Sequence, residues 1–150
     1  VRLALDTNIL AYAEGVNTAE MKRSAVTVLD RLPQSSVVLP VQVLGELFQV
    51  LVRKAHRSPA KAREAVLSWR DSFQLVETSA TVMIAAADVA VTHQLGIWDA
   101  VILCSASEAK CRLLLSEDMQ SGFTWGGVTI VNPFAPPLNP FLTALLAPEQ

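Results

Sequence analysis

Few side chains in this sequence could serve as nucleophiles or soft metal ligands. There are two cysteines, two histidines and one tyrosine in 150 residues. Cys104 falls in a helical stretch and Cys111 at the strand edge that follows. With no CxxC or CxxH spacing they form neither a disulfide framework nor a zinc site, and both are expected in the core. His56 and His93 stand apart from any nucleophile motif. No GxGxxG and no P-loop lysine occurs, so nucleotide-cofactor chemistry has no support. No apolar run is long enough to span a bilayer, and no basic segment precedes a signal-type stretch. The expectation is a soluble, intracellular chain. It starts at Val1, which leaves open whether a start was trimmed. Charge is also scarce, at 17% of residues against 51% hydrophobic, which excludes disorder. The net charge of −2 argues mildly against a nucleic-acid binder. The one basic cluster is Arg53, Lys54, Arg57, Lys61 and Arg63, with Glu64 as its only acidic neighbour. Such clusters are often solvated helix ends.

What the chain has in quantity is short apolar runs alternating with longer helical patterns. Strands are expected at 2–5, 37–39, 73–76, 112–115 and 128–131. Helices are expected from about Ile9, from Asn17-Thr18 to Leu32, over 41–56, from Ser58-Pro59, over 80–95 with Gly96 as the C-terminal stop, and over 99–110. This alternation predicts an α/β fold with a mainly parallel sheet. Residues 1–134 form the compact domain. The proline-rich tail 135–150 holds one or two helical turns over 141–146, packed on the body or on a second chain.

Four acids interrupt these apolar surroundings. Asp6 ends the first strand, where ligands of open parallel sheets collect; taken alone it could equally cap the next helix. Glu46 lies in a helix that is apolar nearly all round, on one stripe with Gln42, Gln49 and Arg53. Burying it demands a partner or a metal, although a surface stripe paired with Arg53 or Gln49 is the plainer reading. Asp99 caps its helix or lies in its first turn, where the macrodipole favours an anion. Ser116-Glu117-Asp118 repeats the strand-then-acid pattern of the first strand. If these junctions share the sheet's carboxyl edge, Asp6, Glu46, Asp99 and Asp118 converge. Close carboxylates raise one another's pKa unless a cation neutralises them. All-oxygen ligands select Mg²⁺ or Mn²⁺ over zinc, and such ions suit phosphodiester hydrolysis.

The series Leu-Asp-Thr-Asn-Ile-Leu (5–10), Gly-Glu-Leu (45–47), Trp-Asp-Ala (98–100), Ser-Glu-Asp-Met (116–119) and Gly-Val-Thr-Ile-Val-Asn-Pro-Phe (127–134) resembles PIN-domain ribonucleases, in particular the VapC toxins of toxin–antitoxin modules. The resemblance covers residues 1 to about 134. It implies a PIN-like three-layer α/β/α fold and a cytoplasmic Mg²⁺- or Mn²⁺-dependent endoribonuclease. Asp6, Glu46, Asp99 and Asp118 would be its catalytic and metal-binding acids, with Asp118 favoured over its neighbour Glu117. Asn8 and Ser116 match the supporting polar positions. It further implies a homodimer and a small VapB-like antitoxin that blocks the acidic groove. Arg53, Lys54 and Arg57 are the candidate RNA contacts. Haloacid-dehalogenase phosphatases need a second acid where Asn8 stands, and receiver domains need paired acids after the first strand. The alternative that remains is a PIN-like module that binds RNA or protein without cleaving.

Overall fold

The computed structural model describes residues 1–148. In chain order the elements are β1 (Leu3–Leu5), α1 (Thr7–Ala13), α2 (Ala19–Arg31), β2 (Val37–Pro40), α3 (Val41–Arg53), α4 (Pro59–Ser72) and β3 (Gln74–Val76). There follow α5 (Ala80–His93), α6 (Ile97–Glu108), β4 (Leu113–Leu115), β5 (Thr124–Trp125), β6 (Val128–Val131) and α7 (Pro140–Leu146). The strands form one six-stranded sheet in the order β3-β2-β1-β4-β6-β5. Every pairing is parallel except that of β5 with β6. Helices flank the sheet, the α/β/α arrangement expected from the sequence.

The central strands are continuous apolar runs because both faces are covered. Every residue of β1, β2 and β4 is buried. Between these strands the local chemistry starts each helix. Thr18, Ser58 and Ser79 accept the backbone N–H of Met21, Lys61 and Val82 respectively, standard N-caps. Pro59 occupies the first turn of α4, where its missing N–H costs nothing. Helix α6 is buried without interruption from Ala100 to Ala106, which accounts for its lack of a polar face. Cys104 and Cys111 are buried thiols, as expected. No helix among the described residues is long and apolar enough to cross a membrane.

Three local expectations change. Gly96 does not terminate α5. Gln94 takes the left-handed conformation there, at φ 56°, and Gly96 becomes the N-cap of α6, so two helices meet across a very short turn. Helix α3 ends at Arg53 rather than His56, and His56 itself has φ 55°. The segment before β6, expected as loop, contains the edge strand β5. Its signal is Gly126-Gly127 between Thr124-Trp125 and Val128-Thr129, a two-residue hairpin turn that needs positive φ twice. The glycines adopt φ 56° and 80°. At Gly126 an added Cβ would lie 2.5 Å from Ser107 Oγ, whose hydroxyl donates to the Gly126 carbonyl at 2.7 Å. Gly126→Ala is therefore expected to lower stability by about 1–3 kcal/mol, measurable as a lower urea midpoint with an unchanged slope.

The tail docks on the body. Asn139 caps α7 and Leu142 is completely buried within the main hydrophobic cluster. The Arg112 guanidinium lies 4.5 Å from the centre of the Phe141 ring, a cation–π contact.

The strand order places the functional crevice. The chain runs outward from β1 through β2 to β3, then returns to add β4 on the other side of β1. A reversal of this kind opens a crevice at the carboxyl ends of the two central strands. Asp6 follows β1 and Ser116 follows β4.

Candidate active site

Asp6 is both a cap and a member of a cluster, so both sequence readings of it apply. Its Oδ1 accepts the Thr7 backbone N–H at 2.7 Å, which starts α1. Its Oδ2 accepts the Ser116 hydroxyl at 2.8 Å. The Ser116 hydroxyl also lies 3.1 Å from Asp118 Oδ1. One hydroxyl carries one proton and cannot donate to both carboxylates at once. The Asn8 amide reaches the same pair from the first turn of α1, donating to Asp118 Oδ1 at 2.7 Å and standing 3.5 Å from Asp6 Oδ2. The side-chain Oδ1 of Asn8 accepts the Glu117 backbone N–H at 3.3 Å. Asn8 and Ser116 thus hold the two strand-end loops together, the arrangement expected of supporting residues.

Glu117 faces elsewhere. Its carboxylate accepts the Tyr12 hydroxyl at 2.7 Å, and burial beside Glu117 pushes that phenol up to about 12. Asp118, not Glu117, joins the cluster. Glu46 enters from α3, where Oε2 accepts the Thr7 hydroxyl and Oε1 accepts the Gln42 amide at 3.1 Å. The stripe foreseen on α3 exists, but its cation is not Glu46's partner. Asp99 lies in the first turn of α6, the second of the two placements open for it.

The electrostatics bring the four acids within reach of one another's charge. Burial pushes the Asp6 carboxyl up to about 7. Hydrogen bonds from Ser116 and Thr7 oppose the shift, and the charges of Asp118 and Asp99 add to it. Asp99 is raised by desolvation and by the charges of Asp118 and Glu46. The ion pairs among the described residues are Arg57–Glu14 and Arg70–Asp71, so none of the four acids has a cationic partner there. Among the described residues no three acidic, His or Cys side chains are gathered around one point. Neutral donors from Thr7, Asn8, Gln42 and Ser116 bridge them instead. In donor chemistry the set fits a hard divalent cation, being carboxylate, amide and hydroxyl oxygens without a thiolate or imidazole.

An open cleft of about 450 Å³ adjoins the cluster, lined on one wall by Glu46, Gln49, Arg53 and Lys54 of the α3 region and on the other by Asn8, Tyr12 and Asp118. Arg53 and Lys54 therefore stand where the basic patch was expected to serve the site. Arg57 does not line this cleft. Its guanidinium donates to the Glu14 carboxylate at 2.8 Å and to the Glu14 carbonyl at 2.6 Å, tying the turn after α3 to the end of α1. Thr7 and Gln42 hold Glu46, a role the sequence does not assign to either, although it places Gln42 on the stripe of Glu46. Thr7 has a signal in its position beside Asp6, and Gln42 in its i, i+4 spacing from Glu46.

Residues 3–121 match the PIN domain family, and the chain belongs to that family. Among solved structures it is similar to a VapC toxin of Mycobacterium tuberculosis that cleaves the sarcin–ricin loop, at 19% identity over 77% of this chain and 91% of that one, TM-score 0.65. It is also similar to a toxin–antitoxin complex from Klebsiella pneumoniae, at 22% identity over 89% and 98% of the two chains, TM-score 0.65. A third is a VapBC pair from Rickettsia felis bound to a DNA fragment from its promoter, at 12% identity over 87% and 97%, TM-score 0.62. At these identities the likeness is one of fold. No curated protein sequence matches the chain.

Proposed function

We propose that this protein is a metal-dependent endoribonuclease and the toxin of a VapBC-like toxin–antitoxin pair, with Asp6, Glu46, Asp99 and Asp118 as its catalytic acids. The observation that carries this reading is the buried Asp6 carboxylate, joined to Asp118 through Ser116 and Asn8, with no cation among its protein partners. A pure binding module has no need of such a cluster, because each acid makes the next harder to ionise. Mg²⁺ or Mn²⁺ held by these four acids would activate water and neutralise charge on the scissile phosphate.

The protein's own contribution is orientation. Asn8 and Ser116 fix Asp6 against Asp118, while Thr7 and Gln42 aim Glu46 across the same opening. Arg53 and Lys54 attract the phosphate backbone into the cleft, and Arg57 holds the turn that carries them. The cognate antitoxin is a small protein with a segment that enters the acidic cleft. The functional unit is a cytoplasmic homodimer, for which the exposed Ile84 and Val91 of α5 offer an apolar face.

The direct test is incubation of the purified protein with structured and unstructured RNA, with and without Mn²⁺. Internal cuts that require the ion are expected. Replacing both Arg53 and Lys54 with Gln is expected to weaken RNA binding and to flatten its dependence on salt, since fewer counterions are released. RNA binding without cleavage under any divalent ion would transfer the protein to the non-catalytic alternative.

A further inference from the structure

A second cleft lies on the other side of Glu46 and has no part in the chemistry above. It measures about 650 Å³ and is lined by Gln42, Gly45, Glu46, Gln49, Thr78, Met83 and Trp98, with Val41 at its edge. Glu46 and Gln49 line both clefts, so the two adjoin at these residues.

Three features of this cleft are costly unless something occupies it. Trp98 leaves 52% of its surface open to solvent beside Asp99, although a residue this large gains most when it is covered. Gly45 sits within helix α3, where glycine costs about 1 kcal/mol relative to alanine. Nothing lies within 4 Å of where its Cβ would be, so no tight packing explains it. The buried hydroxyl of Thr78 has no hydrogen-bond partner. Together these are an open aromatic face, a floor kept free of side chains, and a wall with one unpartnered hydroxyl. The Gln42 amide donates to Glu46, which leaves its oxygen as an acceptor, and the Gln49 oxygen accepts from Arg53, which leaves its NH₂ as a donor.

We propose that this cleft is a nucleobase subsite. A base of single-stranded RNA stacks on Trp98 over Gly45, with its polar edge toward Gln42 and Gln49, while the adjoining backbone crosses Glu46 toward Arg53 and Lys54. This rests on the RNA-cleaving function proposed above and deepens it, naming an unpaired nucleotide beside the scissile bond as part of what is recognised. Stacking tolerates any base, and the amide rim gives a modest preference. The cations Arg53 and Lys54 on the adjoining cleft favour RNA over a peptide as the occupant, because they offer partners to the phosphates that flank a base held here.

The test uses the full chain with Ca²⁺ in place of Mn²⁺ and a short single-stranded oligoribonucleotide, with intact oligonucleotide verified on a gel after each binding measurement. Trp98→Ala is expected to weaken affinity about tenfold or more, and Trp98→Phe to restore most of it. Gly45→Leu fills the floor from a helical position and is expected to weaken binding comparably while leaving the melting temperature at or above that of wild type. An abasic site walked along the oligonucleotide should cost wild type affinity at one position, and that cost should vanish in Trp98→Ala. Wild-type affinity in both Trp98→Ala and Gly45→Leu overturns the subsite, leaves the cleft to a peptide, and leaves the nuclease reading standing. Failure of wild type to bind or cut any RNA overturns both.

Discussion

Asp6→Asn is expected to abolish RNA cleavage and, in the absence of divalent ions, to make the protein more stable at neutral pH. The carboxyl of Asp6 titrates near 7 in the folded protein and near 3.9 when exposed to water. A raised acid pKa means that the folded protein keeps a proton that the unfolded chain releases. Between about pH 4 and pH 7 the unfolded state is therefore favoured as pH rises, and stability falls across that window. Above it the full penalty applies, on the order of 4 kcal/mol for a shift of this size. The penalty needs little discount for solvent, because Asp6 is only 4% exposed. The amide introduced by the substitution has no charge to desolvate, and its oxygen can still accept the Thr7 N–H. The variant should melt about 10 °C higher at neutral pH in chelator and match wild type near pH 4. Mn²⁺ should raise the wild-type melting temperature by mass action and leave the variant unmoved. Activity should fall by more than about a hundredfold, the loss expected when several kcal/mol of charge stabilisation disappear. A variant that melts below wild type at neutral pH would show that protein donors alone satisfy the carboxylate.

Leu142→Ala is expected to cost about 2–5 kcal/mol, as large-to-small changes in a filled core do. Leu142 is fully buried although it belongs to the proline-rich segment placed outside the compact domain by its composition. The short helix that carries it contacts α2, and Arg112 covers Phe141 from the strand side. The melting temperature should drop by roughly 5–15 °C, with cleavage at low temperature unchanged because the acids lie elsewhere. Wild-type stability in Leu142→Ala would restore the boundary near residue 134 and make the tail an appendage.

The framework is legible in the sequence because burial on both faces of a parallel sheet leaves an uninterrupted apolar run. Leu3–Leu5, Val37–Pro40 and Leu113–Leu115 could hardly be anything but central strands. The acids are legible for the opposite reason, as charges placed where charge is costly. β5 escapes because two partly exposed residues carry no periodicity, and only the glycine pair beside them gives a signal. At Gly96 the expectation fails because a glycine after a helix favours a left-handed stop, whereas the immediate start of α6 moves that conformation to Gln94. The pairing of Arg57 with Glu14 joins positions 43 apart in sequence, which no local pattern reveals. Trp98 stands in an apolar stretch that gives no hint of its exposure, and only the folded chain distinguishes it from a core aromatic.

The Ser116–Asp6 hydrogen bond spans 110 positions of the chain, and β1 cannot be flanked on its second side until β4 exists. During translation the first acid therefore waits until β4 and the loop after it have been made. A chain stopped before Asp118 contains strands β1 to β4 and lacks β5, β6 and the last of the four acids. Synthesis itself thus sets the order in which the acids come together, with Asp6 made first and its partners on the far side of β1 more than a hundred residues later.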